Sequence, residues 1–310
     1  MAFDPVKLTG SKILITGPTG QVAEPVVAAL AGHCDVTALA RFSKQEDRDR
    51  ITALGANCVA ADLADVDGLA AVPTDFDYVL NFAVVKTDDF DYDLAANAEG
   101  VGRLMLHCKS VKAFLHFSST AVYQYAGHEP RSENSPLGDN HRAMFPTYSI
   151  SKIAAETVCR FTAHQFGIPT TIARLSVPYG DNGGWPYYHL LMMQNGIPID
   201  IHPEQPNYYN LLHVDDYLEK IPRLLAAATP EVTTLNFGGS EATSVEEWCA
   251  YLQELTGFEP VFNETSTAFG SLCIDTTRMH ELIGTTAVDW KVGVASMVRT
   301  MAPELIKEVG

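Results

Sequence analysis

A tyrosine and a lysine one helical turn apart carry the strongest chemical signal in the sequence. Tyr148 and Lys152 stand at positions i and i+4 of a stretch with a helical pattern, so their side chains project from the same helix face. A lysine cation beside a phenol favours the phenolate, and we expect it to lower the pKa of Tyr148. The pair therefore predicts a tyrosine that gives or takes a proton near neutral pH.

A serine at the end of a predicted strand is a candidate partner for this pair. Ser119 follows the apolar run Ala113–Phe117, and the carboxyl ends of parallel strands are where open α/β sheets bind ligands. Its hydroxyl is expected to hydrogen-bond a substrate oxygen. The neighbouring hydroxyls of Ser118 and Thr120 fit the role of a turn or a cap.

A glycine-rich turn between the first predicted strand and the first helix is typical of dinucleotide binding. Glycines here allow a tight turn and a close approach of the backbone to a pyrophosphate, and the helix that follows offers its unpaired N–H groups. The predicted cofactor contacts in this turn are Gly17, Thr19, Gly20, Gln21 and Val22.

The end of the second predicted strand favours NADP(H) over NAD(H). An acidic side chain there would accept hydrogen bonds from the adenosine ribose, but this strand ends in Ala40-Arg41. Arg41 is expected to bind a 2′-phosphate through two N–H groups of its guanidinium, with further hydrogen bonds from Ser43 and Lys44. The alternative is that Arg41 is a solvated arginine at the start of a loop. Asp62 follows the third strand, where it predicts either an adenine contact or a simple turn.

Short apolar strands alternate with helices through the first half of the chain, and these elements must position the residues above. Such alternation predicts an α/β fold with a doubly wound parallel sheet of Rossmann type, covered by helices on both faces. We expect strands at Lys12–Thr16, Asp35–Ala40, Asn57–Ala60, Tyr78–Phe82, Ala113–Phe117 and Thr170–Arg174, and helices at Gln21–Ala31, Asn97–Ser110 and Tyr148–Phe166.

The pattern changes after Arg174. Segments 180–186 and 198–210 are rich in Gly, Pro, Asn and aromatic residues, which predicts irregular walls of a site. A predicted helix at Asp215–Ala228 and a strand at Thr234–Phe237 return to the sheet. We therefore expect a dinucleotide-binding domain at 1–176, rejoined at about 211–239, and a smaller C-terminal substrate-binding lobe formed by 177–210 and 240–310.

Composition limits the classes of partner. The 310-residue chain has a formal net charge of −17, which repels phosphate backbones and argues against nucleic acid as a partner. No apolar run approaches the ~20 residues of a membrane span. The six scattered cysteines include no CxxC pair, and no secretory signal is visible at the N-terminus, so we expect a cytoplasmic protein without a metal site.

Together these motifs resemble those of the extended short-chain dehydrogenases/reductases, an NAD-dependent epimerase/dehydratase-like group that also includes various carbonyl reductases. The resemblance covers most of the chain. It rests on TGPTGQVA from Thr16, ADL from Ala61, NFAV from Asn81, NAEG from Asn97, SSTAVY from Ser118, YSISK from Tyr148, RLSVPYG from Arg174 and LLHVDD from Leu211.

The resemblance implies a mechanism and a fuller set of contacts. Hydride passes between the nicotinamide and a substrate carbon, Tyr148 transfers the hydroxyl proton, and Ser119 polarises the oxygen. Lys152 tunes Tyr148 and holds the nicotinamide ribose, while Asn97 orders a water relay. The further cofactor contacts that it implies are Leu63, Phe82, Ala83, Val84 and Val177.

Departures from the family pattern narrow the expected activity. Thr120 and Ala121 stand where dehydratases of nucleotide sugars place Asp-Glu, so elimination lacks its acid and base. No Lys or Arg lies between Arg174 and Lys220, which leaves a diphosphate without obvious cationic partners. Five aromatic side chains of this stretch suit an apolar substrate or, taken singly, core packing: Trp185, Tyr187, Tyr188, Tyr208 and Tyr209.

These features lead to one expected function and two alternatives. We expect an NADP(H)-dependent oxidoreductase that interconverts a carbonyl and an alcohol on a fairly apolar small molecule. The alternative is a nucleotide-sugar epimerase or reductase that uses tightly bound NAD(P). A non-catalytic, cofactor-sensing regulator is a third interpretation, against which the Tyr148/Lys152 pair argues.

A homodimer is also expected. In proteins of the resembled family, the helices that correspond to those carrying Asn97 and Tyr148 pack against their own copies around a twofold axis. Here these helices contain the apolar residues Leu104, Leu106, Ile153 and Val158.

Overall fold

A computed structural model of the chain describes residues 4–307, so the outermost residues of the two predicted domain ranges lie outside it. Its strands, in chain order, are β1 (Lys12–Thr16), β2 (Asp35–Ala40), β3 (Asn57–Ala60), β4 (Tyr78–Asn81), β5 (Ala113–Ser119), β6 (Thr170–Leu175), β7 (Val177–Gly180), β8 (Gly183–Gly184), β9 (Ile199–Ile201), β10 (Tyr208–Tyr209), β11 (Leu211–His213), β12 (Thr233–Phe237), β13 (Thr243–Ser244) and β14 (Phe262–Glu264).

The α-helices are α1 (Ala23–Ala31), α2 (Gln45–Ala53), α3 (Phe90–Leu94), α4 (Gly100–His107), α5 (Tyr148–Phe166), α6 (Trp185–Gln194), α7 (Val214–Ala226), α8 (Val245–Thr256), α9 (Thr277–Ile283) and α10 (Trp290–Met301). A π-helical turn at Ala95–Glu99 joins α3 to α4. Short 3₁₀ turns follow β5 at Thr120–Val122 and α10 at Pro303–Leu305.

Seven of the strands form one sheet in the order β12-β6-β5-β4-β1-β2-β3, and every neighbouring pair in it runs parallel. The strand order reverses between β1 and β4, which makes this the switch point where doubly wound sheets bind ligands. The predicted Rossmann-type α/β fold is therefore confirmed.

Alternate residues of the strands bury their side chains on opposite faces of the sheet. Ile13 and Ile15 of β1 belong to a core that α1, α7 and α9 cover. Leu14, between them, belongs to a second core that α4 and α5 cover. Because both faces are buried, the central strands read as continuous apolar runs, which is why the sequence located them well.

A third core lies in the C-terminal half of the chain, around Trp248 and Tyr179. It includes buried side chains of α6, α8 and α10. The sequence predicted irregular chain at 180–186, but α6 begins at Trp185, with Pro186 in its first turn. Proline is tolerated there because the first N–H groups of a helix have no partner within the helix.

Two predicted helices begin later than expected. The first starts at Ala23 rather than Gln21, so Pro25 lies in its first turn and removes no intrahelical hydrogen bond. The segment from Asn97 begins inside the π-helical turn and becomes α-helical only at Gly100. Within residues 4–307 no helix is long and apolar enough to cross a bilayer.

Candidate active site

A cleft runs along the carboxyl ends of the sheet strands on either side of the switch point. It consists of two cavities, of about 300 Å³ and about 380 Å³, which share the lining residues Gly17 and Val84. The first extends toward Arg41 and Asp62, and the second toward Tyr148. The glycine turn after β1 lies where the two cavities meet.

The backbone of this turn requires glycine at its first position. Gly17 has a φ of +66°, which L-residues with a side chain rarely adopt. A Cβ atom on Gly17 would also lie 3.0 Å from the Cα and N atoms of Ala83. Helix α1 begins just beyond, and its N-cap residue Val22 makes no side-chain capping bond among the described residues. The backbone N–H groups of Ala23 and Glu24 donate to the carbonyl oxygen of Gly20, so what this helix offers an anion is chiefly the positive end of its dipole.

Three predicted catalytic residues meet at the other end of the cleft. Tyr148 is the first residue of α5, Lys152 follows one turn later, and Ser119 is the last residue of β5. All three line the same cavity. The Ser119 side chain lies near enough to the Tyr148 phenol to lower its pKa, and it accepts a bond of 3.1 Å from the backbone N–H of Ala121. The buried Nζ of Lys152 donates to the carbonyl oxygen of Phe117 over 2.8 Å.

The direction of the phenol's pKa shift differs from the expectation. Burial raises the pKa of Tyr148, and the nearby hydroxyl of Ser119 only partly opposes this rise. Burial also lowers the pKa of Lys152 to about 8, although the negative charge of Glu156 acts to raise this pKa. In this structure desolvation therefore outweighs the attraction between the phenolate and the ammonium that the sequence suggested.

Lys86, which the sequence did not single out, lies at the mouth of the catalytic cavity. Its Nζ is 4.3 Å from the ring centroid of Phe145 and 5.4 Å from that of Tyr148, distances typical of cation–π contact. Partial burial lowers its pKa. The position depends on the loop after β4 meeting the start of α5, so sequence spacing carried no signal for it.

Asn97 lies away from this group. Its buried amide accepts a bond from the backbone N–H of Val85 and donates to the carbonyl oxygen of Val85, both over 2.8 Å, and also donates to the Ser151 hydroxyl over 3.1 Å. It lines the cavity of Arg41 rather than that of Tyr148. These bonds tie the loop after β4 to α5, and the water relay stays a prediction.

Most of the predicted cofactor contacts line the cleft. At the Arg41 end these are Gly17, Thr19, Arg41, Ser43, Lys44, Asp62, Leu63, Ala83 and Val84. At the Tyr148 end they are Gly17, Gly20, Gln21, Val22, Phe82, Val84, Tyr148 and Lys152. Val177 is absent from both linings within residues 4–307; it pairs with Leu211 between β7 and β11, whereas its neighbours Ser176 and Pro178 line the catalytic end.

A dinucleotide suits the groups that line this cleft. The Ser176 hydroxyl oxygen is buried and has no hydrogen-bond partner among the described residues, although the residue lines the catalytic cavity. A buried hydroxyl without a partner is costly unless a ligand satisfies it. This hydroxyl favours a polar ligand at the catalytic end of the cleft, beside the glycine turn that lines both cavities.

The aromatic residues after Arg174 mainly build the third core and do not line this cleft. Trp185 packs against Tyr209 and Trp248, with ring centroids 4.9 and 5.8 Å apart. The buried Tyr209 donates its hydroxyl to the carbonyl oxygens of Phe269 and Gly270. Core packing, the alternative interpretation of these side chains, therefore explains Trp185 and Tyr209.

Known proteins resemble the chain in sequence and in fold. The trifunctional UDP-glucose 4,6-dehydratase/UDP-4-keto-6-deoxy-D-glucose 3,5-epimerase/UDP-4-keto-L-rhamnose-reductase of Arabidopsis thaliana is 25% identical over 274 residues, which cover 80% of this chain and 40% of that protein. The chain thus spans less than half the length of this curated relative.

Two solved structures illustrate the similarity of fold. UDP-glucuronic acid 4-epimerase from Bacillus cereus, in complex with UDP-glucuronic acid and NAD, has a TM-score of 0.80 at 20% identity, covering 94% of this chain and 99% of that one. The dTDP-glucose 4,6-dehydratase DesIV from Streptomyces venezuelae has a TM-score of 0.77 at 20% identity, covering 93% and 96%.

A family model defines the relationship more directly than these pairwise similarities. It describes the NAD dependent epimerase/dehydratase family and matches residues 13–238. This range contains the residues of the cleft and all of the sheet except Lys12, the first residue of β1, and it agrees with the resemblance to extended short-chain dehydrogenases/reductases. The chain therefore belongs to the NAD-dependent epimerase/dehydratase family.

Proposed function

We propose that the chain is an epimerase that inverts a secondary alcohol carbon of a nucleotide sugar with the help of a bound NAD(P). The observation that carries this proposal is the meeting of Ser119, Tyr148 and Lys152 in the cleft that begins at Gly17. Epimerisation by oxidation and re-reduction needs one proton-transferring group that serves both half-reactions, and Tyr148 meets this requirement.

Each residue of the group has a separate task in this proposal. When bound, the nicotinamide ring supplies a hydride acceptor and donor. Ser119 holds the substrate oxygen, and Tyr148 takes its proton in the oxidation and returns it in the reduction. The ammonium of Lys152, held by the Phe117 carbonyl at 2.8 Å, supplies positive charge near the reacting oxygen.

The residues after Ser119 favour epimerisation over dehydration. Loss of water from a keto sugar needs a second acid and base, but the positions that follow are Thr120 and Ala121, both buried. The side chain of alanine transfers no proton, and that of threonine does so poorly at neutral pH.

A nucleotide sugar also fits the charge of the cleft better than the sequence suggested. The lack of Lys and Arg between Arg174 and Lys220 argued against a diphosphate, but Lys86 enters the cavity mouth from another part of the chain. Its ammonium offers a partner for a substrate phosphate. The similarity to proteins that bind UDP-sugars gives further support.

The test is to incubate the purified protein with UDP-, GDP- and dTDP-sugars and to follow the sugar configuration by NMR. We expect inversion at one carbon without net formation of oxidised or reduced cofactor. Tyr148→Phe is the matched inactive variant, and Tyr188→Phe, at an exposed tyrosine of α6, is the control. No inversion of any of these sugars by a cofactor-loaded protein would contradict the proposal.

A carbonyl reductase is the second candidate, because the residue that follows β2 is Arg41 and not an acidic residue. That arrangement suits NADPH, which acts as an exchangeable reductant in many reductases. Stoichiometric loss of NADPH absorbance with a panel of aldehydes and ketones, without sugar inversion, would favour this activity over the epimerase.

A further inference from the structure

Three side chains form a hydrogen-bonded chain at the Arg41 end of the cleft. The Arg41 Nη1 donates to the hydroxyl of Tyr92 over 2.9 Å, and this hydroxyl donates to the Asp62 Oδ2 over 2.8 Å. The other Asp62 oxygen accepts the backbone N–H of Ala64 over 2.9 Å. Arg41 and Asp62 line the cavity of about 300 Å³, while Tyr92 lies on α3 and connects them.

The positive charge of Arg41 is not neutralised by this arrangement. Among residues 4–307, no carboxylate lies within ion-pair distance of its guanidinium. Asp47, which also lines the cavity, pairs instead with Arg50 at 3.0 Å. Lys44 lines the same cavity and is exposed. The cavity therefore presents two cations to a ligand.

The phenol of Tyr92 keeps Arg41 and Asp62 apart. Burial and the hydrogen bond to Asp62 raise the pKa of Tyr92, so its hydroxyl stays protonated and donates to the carboxylate. The same oxygen accepts a hydrogen bond from Arg41, so the two charges interact through the phenol rather than as a direct pair. The remaining N–H groups of Arg41 are left for an anion.

We propose that Tyr92 determines cofactor specificity by positioning Arg41 to bind the 2′-phosphate of an adenosine ribose. Ser43 and Lys44 add donors at the same place. Without the hydroxyl of Tyr92, Arg41 pairs directly with Asp62. Its positive charge is then no longer available to bind the 2′-phosphate. This inference rests on the proposed function only in that a dinucleotide occupies the cleft.

The test compares AMP with adenosine 2′,5′-bisphosphate, which differ only in the 2′-phosphate, by calorimetric titration at one low salt concentration. The parent should bind the bisphosphate more tightly. Tyr92→Phe should reduce that preference roughly tenfold or more, the usual effect of losing a charge-assisted contact, with AMP binding nearly unchanged. Arg41→Ala should abolish it, and Tyr188→Phe should leave both affinities unchanged.

A second variant separates positioning from a general loss of structure. Adding Asp62→Asn to Tyr92→Phe removes the carboxylate that captures Arg41, so the preference for the bisphosphate should return, even if both ligands bind more weakly. A parent that prefers AMP, a Tyr92→Phe protein with unchanged preference, or a double variant without recovery would overturn the inference. Because both ligands occupy only the adenosine end, these outcomes are independent of whether sugars are epimerised.

Discussion

At the scale of single residues, the proposed mechanism assigns proton transfer to Tyr148, while Ser119 and Lys152 hold and polarise the reacting oxygen. Tyr148→Phe removes one oxygen from a partly buried ring, so the fold and cofactor binding should be nearly intact. The chemical step should slow by roughly 10²–10⁴-fold, the usual contribution of a positioned acid–base group. Single-turnover hydride transfer measures this rate, with cofactor titration as the control. A rate within a few-fold of the parent would assign the proton to another residue.

The buried ammonium of Lys152 predicts a pH dependence of stability. Its pKa falls from 10.5 when exposed to about 8 in the fold, mainly because of burial. Between these values the unfolded chain binds more protons than the folded one, so the free energy of unfolding should rise with pH in this window. The rise amounts to on the order of 3 kcal/mol at most.

Urea unfolding of the unliganded protein across this window measures the effect, with Lys152→Met as the comparison. The variant lacks the titrating group, so its stability should exceed that of the parent near pH 7 and approach it as the pH rises. The free energy of unfolding of Lys44→Met, a change at an exposed lysine, should vary with pH in the same way as that of the parent. Parallel curves for the parent and Lys152→Met would contradict the prediction.

At the scale of the elements, a buried ion pair fixes α5 against the sheet. Glu156 lies one turn beyond Lys152, and its carboxylate accepts bonds from the Arg174 guanidinium of β6 at 2.9 and 2.8 Å. The hydroxyl of Ser118 donates to the same carboxylate over 2.6 Å. Because Ser118 and Arg174 are paired near the ends of the adjacent strands β5 and β6, this network ties the middle of α5 to the strands that end at the cleft.

Glu156→Gln should therefore be strongly destabilising. Burial raises the pKa of Glu156, but the bonds and charge of Arg174 outweigh burial and hold it below the ordinary value. Loss of the charge leaves Arg174 buried without a counter-ion, at a cost of about 3–5 kcal/mol. Glu99 is exposed and pairs with Arg103, so Glu99→Gln should change the free energy of unfolding little.

Denaturant unfolding at pH 7 compares the two variants. For the parent, the contribution of Glu156 is present above the ordinary carboxyl pKa and is lost as the pH falls through the depressed value in the fold. The stability of parent and Glu156→Gln should accordingly converge in acid. Equal stability of the two at neutral pH would show that the pair is not important for the fold.

The sequence predicted the sheet better than it predicted the site. Strands such as Asp35–Ala40 are apolar and bounded by turns, so their limits follow from local pattern alone. No local pattern identified Lys86 and Tyr92, because their roles arise where separate loops and helices meet. The wrong direction for the pKa of Tyr148 has a similar origin, since burial is a tertiary property that the spacing of two residues does not contain.

At the scale of the whole molecule, α4 and α5 present an apolar outer surface. The two helices pack side by side, since a Cβ on Gly102 would lie 2.8 Å from a methyl carbon of Val158. Leu104, which the sequence placed among the dimer contacts, is fully buried in the protomer's own core. Leu106 and Phe161 are 43% and 65% exposed on the outside of these helices.

We accordingly propose an isologous homodimer in which this surface meets its own copy. Ile150 and Phe161 are eleven residues apart, so they lie on nearly the same face of α5, and both are exposed. Burial of large apolar side chains at a twofold axis counts twice, once for each protomer. In a monomer, Phe161 stays exposed to water and this stabilisation is absent.

The dimer predicts a mass of twice 33.8 kDa in light scattering at micromolar concentration. Phe161→Asp places a charge on each side of the axis, where desolvation and like-charge repulsion both oppose association, so it should yield monomers. Val66→Asp changes an even more exposed apolar residue outside these helices and should leave the mass unchanged. The catalytic group lies at the cleft end of α5, so a folded Phe161→Asp monomer should still bind cofactor. A parent protein of monomer mass would refute this assembly.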